Sequence, residues 1–117
     1  MQKNVSSTES QERFDQIARQ LFSSHGAEKG KMFGMPCIKI RSKAFAGLFQ
    51  DNMVFKLTGA EHTRALGLAG ARLFDPSGQG RAMKEWVQVP EAYAAEWPEL
   101  AEKALQYVAS QIDGVAS

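Results

Sequence analysis

The chain has a single cysteine, Cys37, so it has no internal disulfide and no second thiol with which to share a zinc ion. Its two histidines, His25 and His62, stand apart from one another and from any cluster of cysteines or carboxylates, and no metal site is expected. The apolar runs are only a few residues long, far below the roughly 20 that cross a bilayer. The opening MQKNVSSTES lacks the apolar stretch of a secretory signal. These absences predict a soluble protein of the reducing cytoplasm. Also missing are a nucleophile beside its base, a Gly-Lys-Ser/Thr phosphate loop, and paired carboxylates in an apolar setting. Glu91, Glu96, Glu99 and Glu102 fall on the exposed side of a C-terminal helix. The expectation is a protein without a cofactor that is not an enzyme.

What is present fits one domain, since 117 residues can bury a core large enough to fold without staples. The net charge of +1 conceals a strong asymmetry. Residues 1–28 carry a net −1, residues 29–84 carry ten Lys and Arg against three acids for a net +7, and residues 85–117 carry a net −5. From Lys29 to Gln50 there are five cations and no acid, a one-signed patch suited to an anion or an acidic partner. Whether the acidic end folds back and cancels the basic middle is a question for the structure.

Residues 1–7 read as a loose leader and residues 8–113 as the domain. Phe14, Ile17, Ala18, Leu21 and Phe22 recur at helical spacing and predict an amphipathic helix, with Thr8 and Gln11 as a capping box and Gly26 at its end. Three apolar runs between Met32 and Leu57 are separated only by turn-length breaks, which predicts an antiparallel meander. The strands are expected at Lys31 to Phe33, from Pro36, at Ala44 to Phe49 and at Met53 to Leu57, with Ser42 and Lys43 in the second turn. Ala60 to Leu66 reads as a short helix, Arg72 to Pro76 is ambiguous, and Ala82 to Val89 reads as a last strand. Pro98 opens a final helix whose stripe is Leu100, Ala101, Ala104, Leu105, Val108 and Ile112. The sum is an α+β fold in the order α-β-β-β-β-α-β-α, an antiparallel sheet of about five strands with helices on one face.

The runs MFGMPCIKI, KAFAGLF, MVFKL and ARLFDPSGQGRAMKEWVQVP, with the closing helix, together resemble the N-terminal domain of the TfoX/Sxy competence regulators. The likeness spans roughly residues 10 to 112. It departs from the family where Met35, Pro36 and Cys37 replace a Gly-aromatic-Gly run, and it lacks the second domain of the full-length regulators. The resemblance implies a small α+β module with a loose link to DNA-related regulation, and it implies no catalytic residue.

Two sets of residues are candidates for binding. Lys39, Arg41 and Lys43 alternate along a strand and would project from one face about 7 Å apart, near the spacing of successive phosphates. The same pattern is what the solvated face of a half-covered sheet shows. Gly78, Gly80, Arg81 and Lys84, with Trp86 beside them, form a loop whose amides and cations would hold a phosphate or carboxylate, or simply a glycine-made turn. Phe45, Phe49 and Phe55 read as core rather than as a stacking platform, and Cys37 as a buried structural thiol. The leading function is therefore a non-catalytic regulatory or adaptor module that binds an acidic partner, protein or nucleic acid, through a basic sheet face. The alternative is a small-ligand pocket between sheet and helices near Met32, Met35, Cys37 and Trp86. Homodimerisation through an open sheet edge is a further expectation.

Overall fold

The computed structural model describes residues 6–112. The chain forms α1 (Thr8–His25), β1 (Glu28–Met32), β2 (Met35–Ile40), β3 (Lys43–Phe49), β4 (Asn52–Lys56), α2 (Gly59–Leu66), β5 (Arg72–Phe74), β6 (Met83–Val89), a 3-10 turn (Glu91–Glu96) and α3 (Trp97–Ile112). All strand pairs are antiparallel, in the sheet order β1-β2-β3-β4-β6-β5. The α+β class and the expected run of elements are as the periodicity indicates. The sixth strand, β5, comes from the ambiguous segment after Gly70, where three residues are too few to show a period.

Helix α1 differs from expectation at its start. Its cap is Ser7, not Thr8, and the Ser7 hydroxyl accepts from the Ser10 amide at 3.1 Å. Gln11 donates instead to Asp15. Ser6 and Ser7 are fixed to the β3–β4 turn: the Ser6 hydroxyl donates to the Gln50 carbonyl, and the Ser7 amide donates to Asp51 at 2.7 Å. The remainder of the expected loose leader, residues 1–5, lies outside the described residues, as does Asp113. At the other end Gly26 takes φ 76°, a left-handed cap that glycine adopts without strain. Phe14, Ile17, Ala18 and Leu21 are buried as their spacing predicts, but Phe22 is 62% exposed. It falls just outside the stripe, beyond the reach of the sheet.

The helices all lie on one face, where Phe45, Phe55, Leu48 and Met53 meet Phe14, Leu100 and Trp97. The expected α3 stripe is buried through Val108, and Ile112 packs at its margin. A bulge feeds this core. Ile38 pairs with Ala46 and Lys39 with Ala44, so Phe45 is an extra residue that turns inward beside Ala46.

The other face of the sheet is not the simple solvated surface that the strand alternation suggests. Met35, Val54, Phe74 and Trp86 form a second buried cluster there, with Met32, Ala44, Phe49 and Met83 around it. Phe49 and Phe74 meet edge to face at 5.3 Å. The residue beneath this roof is Gly47, paired with Cys37 on one side and Val54 on the other. A Cβ at Gly47 would lie 2.5 Å from the Met35 methyl and 3.2 Å from the Pro36 carbonyl. Glycine here provides space rather than backbone freedom.

Both sheet edges are blunted. β1 carries Lys29 and Lys31, and β5 is three residues long. No helix among the described residues is long and apolar enough to cross a membrane.

Replacing Gly47 with alanine is expected to destabilise the protein by about 1–3 kcal/mol, because the methyl group overpacks the outer cluster. Urea denaturation checks this. Combining it with Met35→Val, which withdraws the methyl that clashes, should cost less than the sum of the two single changes.

Candidate functional site

The structure disperses the expected basic triad. Lys39 pairs with Ala44 and lies on the outer face, its stem crossing Gly30 so closely that a Cβ there would sit 2.8 Å from Lys39 Cε. Arg41 is in the hairpin turn, not on the strand: Arg41 and Ser42 take φ 50° and 73°, the pair of left-handed residues of a tight hairpin. Lys43 then pairs with Ile40, whose side chain belongs to the helical core, so it emerges on the helix side near Val108 and Ile112. The turn sits one residue earlier than the sequence suggests, and such a slip sends every later side chain to the opposite face.

The glycine loop is also not the open anion cradle its composition suggests. Asp75 Oδ1 accepts from the Gly78 amide at 3.1 Å and the Ser77 hydroxyl at 2.9 Å, and Oδ2 accepts from the Gly80 amide at 2.8 Å. The amides that would hold a ligand oxygen already hold this carboxylate. Burial alone would raise the Asp75 pKa, but the hydrogen bonds from Ser77 and from the Gly80, Gly78 and Arg81 amides outweigh it and hold the carboxyl below its usual value. Arg81 and Lys84 are exposed on either side of the return into β6, while Trp86 is buried in the outer cluster. His62 donates its Nε2–H to the Lys84 carbonyl at 2.8 Å and fixes α2 to the start of β6.

Phe45 and Phe55 are core residues as expected, and Phe49 packs in the outer cluster. Cys37 is fully buried; burial pushes its thiol up, only partly opposed by the Lys39 charge and the Gly30 amide, so it is a poor nucleophile. Met35 and Trp86 pack against Val54 and Phe74 instead of opening between sheet and helices. No group of three or more metal-ligating side chains occurs among the described residues.

The acidic C-terminal region is committed to the helix layer. Glu85 accepts from the Tyr107 hydroxyl and lies 3.8 Å from Lys56. Glu96 and Glu99, with Glu61, surround Arg64 at 3.2–3.9 Å. Glu102 meets His25 at 3.1 Å, and Glu91 accepts from the buried Ser10 hydroxyl. Across the molecule, Asp15 holds Lys29 at 2.6 Å. Lys39, Arg72, Arg81 and Lys84 have no carboxylate within ion-pair distance among the described residues.

A cleft of about 820 Å³ opens on the outer face between the β3–β4 turn and the loop after β5. Arg72 and Gln88 sit directly opposite one another in its floor as cross-strand partners. Phe49, Leu73, Pro76 and Ala82 supply apolar walls, and the Asp75-closed loop forms one rim. Gln88 is only 7% exposed, yet its side-chain amide makes no hydrogen bond among the described residues. Neither Arg72 nor Gln88 stands out in the sequence, because their proximity depends on β5 pairing with β6. DPSG does carry a turn signal that points to Asp75.

Comparison with protein-family models, with curated proteins and with solved structures finds no match to this chain.

The Asp75 hydrogen bonds give a pH prediction. A carboxyl whose folded pKa is depressed contributes stability above its unfolded value, near 3.9, and loses it as the pH falls through the folded pKa. The Gly78 and Gly80 amide resonances should therefore move together as the pH falls below about 4, with little change above about 5. In Asp75→Ala they should sit at the released position even at neutral pH, as read by 15N–1H NMR.

Proposed function

We propose that this protein is a non-catalytic regulatory or adaptor module, of the kind the TfoX N-terminal resemblance implies, that receives an acidic protein segment on the outer face of its sheet. The observation that carries this reading is the division of charge. The described C-terminal acids are engaged with Arg64, Lys56, His25, Ser10 and Tyr107, leaving Lys31, Lys39, Lys43, Arg72, Arg81 and Lys84 of the basic middle without carboxylate partners among the described residues. The acidic end thus offsets only part of the basic middle, and of the cations it leaves, Lys39, Arg72, Arg81 and Lys84 lie together on the outer sheet and its flanking loop, while Lys31 and Lys43 stand apart near the helices.

An acidic protein segment suits this surface better than a nucleic-acid backbone. Tracking phosphates calls for cations in register along one face. That row is broken where Arg41 enters a turn and Lys43 crosses to the helix side. The partly buried Met32, Ala44, Phe49 and Met83 around the outer cluster, on the same face as these cations, fit a partner with both acidic and apolar side chains. The ligand-pocket alternative near Met32, Met35, Cys37 and Trp86 loses support, since Met35 and Trp86 are packed into that cluster and Cys37 is fully buried.

Fluorescence anisotropy with labelled polyglutamate and with single- and double-stranded DNA, at about 0.05 and 0.15 M salt, tests the reading. Polyglutamate should bind in a salt-sensitive manner. A Lys39→Glu, Arg81→Glu, Lys84→Glu variant should weaken it by about tenfold or more, while Lys43→Glu stays within about twofold. Failure to bind polyglutamate at low salt, or tighter binding of DNA at matched charge, would sink the proposal.

A further inference from the structure

The outer-face cleft sets Arg72 directly beside Gln88. Arg72 is an exposed guanidinium without a carboxylate partner among the described residues, and a cationic fork of this kind matches a planar carboxylate with two parallel N–H donors. Gln88, its cross-strand partner, is more than nine-tenths buried and makes no side-chain hydrogen bond among the described residues. Directly opposed residues of an antiparallel pair have Cα atoms about 4.5–5.5 Å apart, so one small group can reach both side chains. The Gln88 amide is not among the fully buried unpaired side-chain atoms, so what remains accessible of this otherwise buried residue opens into the cleft, where a ligand can meet it.

The rest of the cleft narrows the chemistry. Arg72 and Asp75 are the only charged residues among those lining it. The loop amides that would otherwise embrace a phosphate are filled by Asp75. Asp75 stays ionised at neutral pH because those same hydrogen bonds favour its charged form. A dianion would therefore find a single cation and a fixed negative charge, whereas a monoanion is matched. The apolar walls, Phe49, Leu73, Pro76 and Ala82, suit an uncharged hydrophobic body attached to that anion.

From these features we infer that the Arg72–Gln88 cleft is a binding site for a monocarboxylate with an apolar body, the guanidinium holding the carboxylate and the Gln88 amide donating to one of its oxygens. The inference rests on the acidic-partner reading and names the group recognised. A free organic acid and the C-terminal carboxylate of a peptide present the same chemistry.

The test is a 15N–1H NMR titration of the full chain with benzoate and with N-acetyl-alanyl-phenylalanine, each against its carboxamide, and with inorganic phosphate. Either acid should shift the Gln88 side-chain NH2 and the Arg72 Nε–H resonances saturably, with each amide weaker by about tenfold or more. A stronger response to benzoate identifies a free acid, and a stronger response to the dipeptide identifies a chain terminus. Arg72→Ala and Gln88→Leu should each lower the affinity by about tenfold or more. Gln88→Glu guards against misfolding as the explanation: it places an internal carboxylate beside Arg72, so binding should vanish while the thermal midpoint is retained. Amides that bind as well as acids, a preference for phosphate, shifts confined to other residues, or carboxylate binding that survives in Gln88→Glu would each overturn the inference. Polyglutamate binding with no movement at Arg72 and Gln88 would overturn it too, leaving the acidic-partner reading in place.

Discussion

The structure depends on a sheet that is buried on both faces at its centre. Strands β3 and β4 send Phe45, Leu48, Met53 and Phe55 into the helical core, while Gly47 and Val54 face outward beneath Met35, Phe74 and Trp86. A small residue in the middle strand is what lets large side chains from both flanks meet above it. Once Phe74 and Trp86 have to meet there, the chain between them must double back tightly. The Asp75 carboxylate makes that return possible by satisfying several amides at once. The cleft with Arg72 and Gln88 in its floor is thus a by-product of roofing a glycine.

The electrostatic layout follows from the same two-sidedness. The helical side contains both signs and pairs many of them internally: Arg64 is surrounded by three glutamates and ties α2 to the 3-10 turn and α3, and Lys29 ties β1 to Asp15 of α1. Most of these pairs are well exposed to solvent and contribute modestly to stability. Their larger effect is on the distribution of charge, because they engage the C-terminal glutamates within the helix layer. Lys39, Arg72, Arg81 and Lys84 at the outer sheet and loop are left without such partners among the described residues.

Much of this fold is legible in the sequence because it is local. Period-two alternation marks β2, β3 and β4, helical spacing marks α1 and α3, and the glycine after His25 marks a helix end. The hairpin at Arg41 and Ser42 is not legible, since neither residue is the Gly or Asn that usually announces two left-handed positions, and the resulting one-residue slip moves Lys43 off the expected face. β5 is invisible for lack of length. The outer cluster and the cleft are nonlocal: Met35 meets Gly47, and Gln88 meets Arg72, only through pairings that connect distant segments.

The strand order β1-β2-β3-β4-β6-β5 has a further consequence for how the chain reaches this state. The first four strands are sequential neighbours joined by short turns, so their pairings close small loops and carry little entropic penalty. β6 reaches β4 only after the segment 57–82 has been bridged, and it carries Trp86 with it. The β4–β6 seam is therefore the one nonlocal closure in the sheet, and the outer roof cannot be finished before it forms. A meander that assembles early would wait with Met35 and Val54 not yet covered by Phe74 and Trp86, so the nonlocal closure and the transient exposure of apolar surface belong to the same seam.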